Sequence, residues 1–168
     1  MSIEIRNEAA RDIAAIEAVT IAAFLQAAHT DHTEQFIVDA LRKAGQLTIS
    51  LVADDDGAVI GHVAVSPIAL SDGASRWYGL GPISVVPGHQ GQGIGSHLMT
   101  RALAELRALG AAGCVVLGDP RYYARFGFRA EPSLVLPDVP AKYFQAIVFS
   151  GQLPSATVSY HQAFAAQA

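Results

Sequence analysis

Apolar and polar positions along the chain interleave strand-like with helix-like periods. Residues 3–6 alternate charge with hydrophobe as a short strand does. Over residues 9–28, Ile13, Ile16, Ile21 and Phe24 recur near helical spacing, which predicts a long helix. A second helix is expected from about Thr33, with Asp31 and Glu34 at the spacing of a capping box. Phe36, Ile37, Ala40 and Leu41 form its apolar stripe and Gly45 stops it. Strands follow at 47–53 and 59–66, joined by Asp54-Asp55-Asp56-Gly57, a hairpin turn signal. Residues 77–86 read as a fourth strand whose pattern is broken by Gly79, Gly81 and Pro82.

The clearest helix spans 93–109. Ile94, Leu98, Ala102 and Leu106 stand four apart, Met99 and Leu103 widen the stripe, and Gly110 ends it. Residues 114–117 suit a short buried strand. A small helix over 120–126 leads to Phe128, and strands and loops follow near Leu134 and Ile147. This alternation predicts an α/β or α+β sheet with helices on its faces, the whole of 1–168 forming one domain.

Composition narrows the class. In 168 residues, 51% are hydrophobic and 15% charged, enough apolar material for a core and too little charge for a disordered chain. The longest apolar runs are a few residues, far short of the roughly 20 that span a bilayer, so no membrane partner is expected. The opening residues lack the apolar stretch of a signal peptide. The one cysteine, Cys114, excludes an internal disulfide and fits a reducing, cytoplasmic setting. Net charge is −4, unevenly spread: residues 1–60 carry ten acids against four bases, whereas 90–130 carry five arginines against two acids. An anion would therefore bind in the second half, while the broad basic face that nucleic acid needs is missing.

The segment 83–98 concentrates the chemistry. Ile83 and Val85 alternate as strand residues, Pro87 ends the strand, and Gly91, Gly93 and Gly95 lead into the best helix. First-turn amides of a helix have no intrahelical acceptor and carry the positive end of its dipole, so a glycine-rich turn there forms an anion site. A tight turn that merely needs glycine accounts for the same residues. A Walker loop would need Lys then Ser or Thr where Ile94-Gly95 stands, and a dinucleotide fingerprint would need Gly or Ala at Ser96.

The pattern Ile83-x-Val85-x-Pro87-x-x-Gln90-x-x-Gly93-x-Gly95 resembles the signature of the GNAT superfamily of acyl-CoA-dependent N-acetyltransferases. About 30 residues later, Tyr122-Tyr123-Ala124-Arg125-Phe126-Gly127-Phe128 resembles that family's second block, and the small bacterial YhbS-like branch is the most similar. The resemblance implies a mixed, mostly antiparallel sheet of six to seven strands, helices on both faces, and a splay between strands four and five. It implies that acetyl-CoA is the co-substrate, its pyrophosphate held by the backbone of Gln90, Gly91, Gln92, Gly93, Ile94, Gly95 and Ser96. The pantetheine arm would follow Ile83, Ser84 and Val85, with Tyr122 and Arg125 beside it, and the Val85 N–H would face the thioester carbonyl. Tyr123 would be the general acid. A phenol near pKa ~10 and a thiol near ~8.5 lie roughly 1.5 units apart, about 2 kcal/mol uphill, so Tyr123 should gain acidity from the helix start or from Arg125.

The base has no obvious carrier. Some family members place a glutamate on the fourth strand, but residues 77–86 hold no acid and no histidine. His29, His32, Glu34 and Asp119 are candidates, as is a water chain. His29, Asp31, His32 and Glu34 lack the frame of a zinc site, so no metal is expected. His62 reads as a packed or interface histidine and Cys114 as a core residue. The acceptor is read as a primary amine of a small molecule or peptide, and the chain as a monomer or homodimer. An acyl-CoA sensor without turnover and a toxin that acetylates aminoacyl-tRNA are the competing readings, the latter opposed by the acidic first third.

Overall fold

The computed structural model describes residues 3–27 and 30–167. Strand β1 (Ile3–Asn7) leads through a 3-10 turn (Ala10–Asp12) into helix α1 (Ile13–Phe24), then α2 (Glu34–Lys43). Strands β2 (Ile49–Asp55), β3 (Ala58–Leu70) and β4 (Trp77–Val85) follow as an antiparallel meander. Helix α3 (Ile94–Ala108), β5 (Gly113–Leu117) and the one-turn helix α4 (Pro120–Tyr123) come next. The chain ends with β6 (Arg129–Ala130), β7 (Leu134–Val135), β8 (Phe144–Val148) and β9 (Ala156–Tyr160).

The sheet runs β1-β2-β3-β4-β5-β8-β6, with β9 paired to both β3 and β7. Pairing is antiparallel except at β4–β5 and β7–β9. This is the mixed, mostly antiparallel α/β sheet that the family resemblance implies, with nine strands in place of six to seven. The extension arises because β3 is 13 residues long: its end outruns β4 and offers Ile68, Ala69 and Leu70 to β9.

Alternation of side chains sorts the two faces. Leu51, Ala53, Val63 and Val65 meet Leu98, Met99, Ala102 and Leu106 of α3, all wholly buried. On the other face Val52 packs with Ile16 of α1 and Val38 of α2. Each buried Val, Leu, Ile or Met among these contributes roughly 1.5–3 kcal/mol, which fixes α3 against the sheet and so fixes where its N-terminus points.

Several local expectations shift. The helix predicted over 9–28 is α-helical only from Ile13 to Phe24, and residue 28 lies outside the described residues. Asp12 stands at its N-cap without a side-chain bond to it; the carboxylate closes the preceding 3-10 turn, accepting the Ala9 N–H at 2.7 Å and the Arg6 guanidinium at 2.7 Å. The hydrogen-bonded Arg6 guanidinium holds this buried carboxyl at about 2. The Asp31–Glu34 capping box does not form. Helix α2 begins where expected, at Glu34 with Thr33 as its N-cap, but Glu34 accepts the Thr30 hydroxyl. Gly45 and Gly110 do end their helices: at each, the amide two residues past the last helical one reaches back across the turn, to Arg42 and Arg107.

Candidate active site

The gap between β4 and β5 follows from register. β5 pairs with β4 only at Trp77, Tyr78 and Gly79, after which the two strands part. Beyond that point β4 is bulged, Gly81 and Pro82 standing opposite the single residue Ala64 of β3. Val86 N–H donates to Ile60 C=O at 3.0 Å, which makes that pair hydrogen-bonded. Antiparallel pairs alternate, so His62/Ser84 is hydrogen-bonded while Gly61/Val85 and Val63/Ile83 are not. The N–H and C=O groups of Ile83 and Val85 therefore turn away from β3 into the gap. Ser84 does not: its main chain is spent on His62, and its side chain is buried on the face of α1 and α2.

At the mouth of this gap lies a cavity of about 430 Å³ lined by Val85, His89, Gln90, Gly91, Gly93, Ile94, Gly95, Ser96, Tyr122 and Arg125. Gly93 is the N-cap of α3 in the left-handed region (φ 83°), and with no side chain it leaves the first-turn amides uncapped. Gly91 has φ 79°, and a Cβ on either glycine would meet nothing within 4 Å, so both line open space. Gly95 differs: a Cβ there would stand 3.1 Å from the Tyr122 hydroxyl, so its absence lets Tyr122 close over the first turn. Gln90 braces the loop, its side-chain amide donating to Val85 C=O at 3.0 Å. The Arg125 guanidinium rests over the Tyr122 ring, 5.1 Å from its centroid, and supplies the cavity with positive charge.

Most of the sequence-predicted residues converge on this cavity. Gln92 is exposed and lies off it, as do Ile83 and Ser84. His89 lines it without having been singled out, and its Nδ1 is buried with no partner among the described residues. Tyr123 is buried beneath, ring edge to face with Tyr122 at 5.1 Å and with Phe128 at 6.1 Å. Burial pushes its phenol up to about 12, with the Tyr122 phenol and Asp119 opposing ionisation further. The expected help from Arg125 is not delivered, because that guanidinium faces Tyr122.

The other candidates are dispersed. Asp119 caps α4, accepting the Arg121 N–H at 2.9 Å. Glu34 is tied to Thr30, and His32 lines a separate cavity with Ile21, Phe24 and Leu25. His29 lies outside the described residues. Among the described residues no three His, Cys, Asp or Glu side chains cluster as metal ligands would. His62 is wholly buried, its Nε2 2.8 Å from Ser50 Oγ, and burial lowers it to about 4. Ser50 in turn donates to Glu8, which is bridged by Arg42 at 2.8 Å beside a second cavity. Burial pushes the Cys114 thiol well above its ordinary range, as suits an inert core residue.

Residues 11–128 match the acetyltransferase (GNAT) family. This chain belongs to that family. It is 41% identical over 114 residues to the uncharacterized N-acetyltransferase YhbS of Escherichia coli K12, covering 67% of this chain and 68% of that one. A GNAT family acetyltransferase from Brucella melitensis, solved in complex with acetyl-CoA, superposes with TM-score 0.87 at 48% identity, covering 97% of this chain and 98% of that chain. Escherichia coli YhbS, solved in complex with CoA, gives TM-score 0.88 at 34% identity, covering 97% and 92%. The enzyme class is thus acyltransferase, as a GNAT N-acetyltransferase. Among the described residues no helix is long and apolar enough to cross a membrane.

Proposed function

We propose that this GNAT enzyme transfers an acetyl group from acetyl-CoA to a primary amine of a small molecule or peptide. The observation that carries the reading is the alignment of two sets of unused main-chain donors. The uncapped amides of Ile94, Gly95 and Ser96 face one cavity, and the N–H groups of Ile83 and Val85 face the gap running inward from it. A diphosphate on the first set, with Arg125 alongside, lays a pantetheine arm against the second. The Brucella melitensis and Escherichia coli relatives, solved with acetyl-CoA and CoA, support that use of the fold.

The amine nitrogen attacks the thioester carbonyl carbon, Val85 N–H receives the developing oxyanion, and the carbon–sulfur bond breaks with its electron pair on sulfur. The nitrogen loses one proton and the thiolate gains one. Tyr123 serves the sulfur as a hydrogen-bond donor. Full proton transfer from a phenol at about 12 to a thiolate near ~8.5 is uphill by roughly 5 kcal/mol, so the hydrogen bond stabilises the departing charge and solvent completes the protonation.

Calorimetric titration with acetyl-CoA, followed by CoA release over a panel of amines (polyamines, amino-acid amides, short peptides), tests the reading. Binding with release dependent on one class of amine is expected. Tight binding with no release across the panel replaces the enzyme by a sensor, and no binding removes both.

A further inference from the structure

Tyr160 ends β9 opposite Ile68 of β3. Its ring lies across the backbone of Gly79: a Cβ there would fall 2.6 Å from Tyr160 Cε1. Gly79 is the last residue of β4 to pair with β5, so the ring stands at the apex of the gap. Phe164 packs against the ring at 4.8 Å between centroids and holds it there. Gly79 pairs with Ser66, and residues directly opposite share a face, so Tyr160 enters from the side of α1 and α2. Ser66 is wholly buried at the same place, and its Oγ has no partner among the described residues. Tyr123 belongs to the core on the α3 side. The two phenols therefore flank the gap from its two faces.

The proposed chemistry still lacks a group that holds the acceptor amine. An attacking amine must be held with its lone pair toward the carbonyl carbon, and β4 presents no carboxylate or imidazole to hold it. Burial raises the Tyr160 phenol, and Cys114 and Tyr123 oppose its ionisation further, so the hydroxyl stays neutral and its oxygen can accept a hydrogen bond.

We propose that Tyr160 receives the acceptor: its hydroxyl oxygen accepts a hydrogen bond from the amine N–H and so aims the nitrogen at the carbonyl in the β4–β5 gap. This rests on the reading of that gap as the place of the thioester. Tyr160 is a catalytic residue in the sense that it touches substrate, and Gly79 is the positioning residue that makes room for it.

The test uses the full chain carrying fluorotyrosine, the acetonyl analogue of acetyl-CoA as an unreactive cofactor, and glycinamide as the amine, followed by fluorine NMR. The Tyr160 resonance, assigned by Tyr160→Phe, is expected to move when glycinamide joins the analogue complex. Loss of one hydrogen bond should weaken glycinamide about tenfold in Tyr160→Phe while analogue affinity stays within about twofold. Gly79→Ala, which pushes the ring aside with its hydroxyl intact, should weaken glycinamide similarly, and the double variant no further. A Tyr160 signal that ignores glycinamide while the analogue binds overturns the proposal and leaves the cofactor reading standing. So does a signal that moves with the analogue alone. Failure of the analogue to bind overturns the cofactor reading itself.

Discussion

Gly93→Ala separates the cost of a turn from the cost of a lost anion site. Gly93 has φ 83° and open space where a Cβ would go, and Gly73, in the turn between β3 and β4, has φ 81° and equally open space. An L-residue held in the left-handed region costs roughly 1–2 kcal/mol. In a chain of this length each kcal/mol lowers Tm by about 2–4 °C. Both alanine variants should therefore melt some 2–8 °C early, by similar amounts. Only Gly93→Ala puts a methyl group into the cavity at the start of α3. Hydrogen bonds to a charged group contribute about 1.5–3 kcal/mol each, so displacing one or two phosphate contacts should weaken CoA by roughly ten- to ten-thousandfold. Calorimetric titration with CoA, alongside thermal melts of both variants, reads the two effects independently. If Gly93→Ala binds CoA as tightly as Gly73→Ala while both melt early, the first-turn amides do not hold the diphosphate.

Tyr123→Phe should leave the acetyl-CoA Kd within about twofold and lower kcat about tenfold or more, as loss of a single charge-assisted hydrogen bond does; an unchanged kcat removes Tyr123 from the reaction. Because burial holds that phenol at about 12, kcat should show no fall from its ionisation between pH 8 and 10, whereas a basic limb in that window that vanishes in Tyr123→Phe would contradict the buried placement. His62 gives a stability signature. The unfolded imidazole takes a proton below about 6.5 and the folded one only near 4, so the unfolded state binds more protons in between and stability rises with pH. The contribution is complete above pH 6.5 and is lost on acidification toward pH 4, about 3 kcal/mol in all. Denaturant melts across that range should show this loss, and His62→Gln should flatten it; an equal slope in the variant assigns the loss to other groups.

The site was most legible where backbone chemistry is written in residue type. Gly91 and Gly93 announce positive φ, Pro87 announces the end of β4, and the stripe from Ile94 to Leu106 announces the helix they cap, so most of the lining of the cavity at the start of α3 could be drawn from residues 83–98, with Tyr122 and Arg125 added by the second motif. The hairpin at Asp56 and Gly57 was equally plain, both residues having positive φ. What depends on distant strands was hidden. That Ile83 and Val85 face the gap while Ser84 does not is a matter of ladder alternation with β3. Tyr160 lies about 80 residues from Gly79 in sequence, and only the outrunning end of β3 brings β9 to it. Environment was also hidden: Tyr123 was expected to gain acidity, but its neighbours Tyr122 and Asp119 and its burial act the other way. The start of α2 near Thr33 was legible, but its Asp31–Glu34 capping box was not, because Thr30, four residues away, takes the Glu34 carboxylate.

The central claim is that CoA lies with its diphosphate on the N-terminus of α3 and its pantetheine arm along Ile83 and Val85. Amide proton–nitrogen correlation spectra recorded through a titration with CoA measure this at each residue. The account predicts that the resonances of Gly91, Gly93, Ile94, Gly95 and Ser96 move together with those of Ile83 and Val85. Movement confined to Asn7, Glu8 and Ser50, around the cavity beside Arg42, would contradict it.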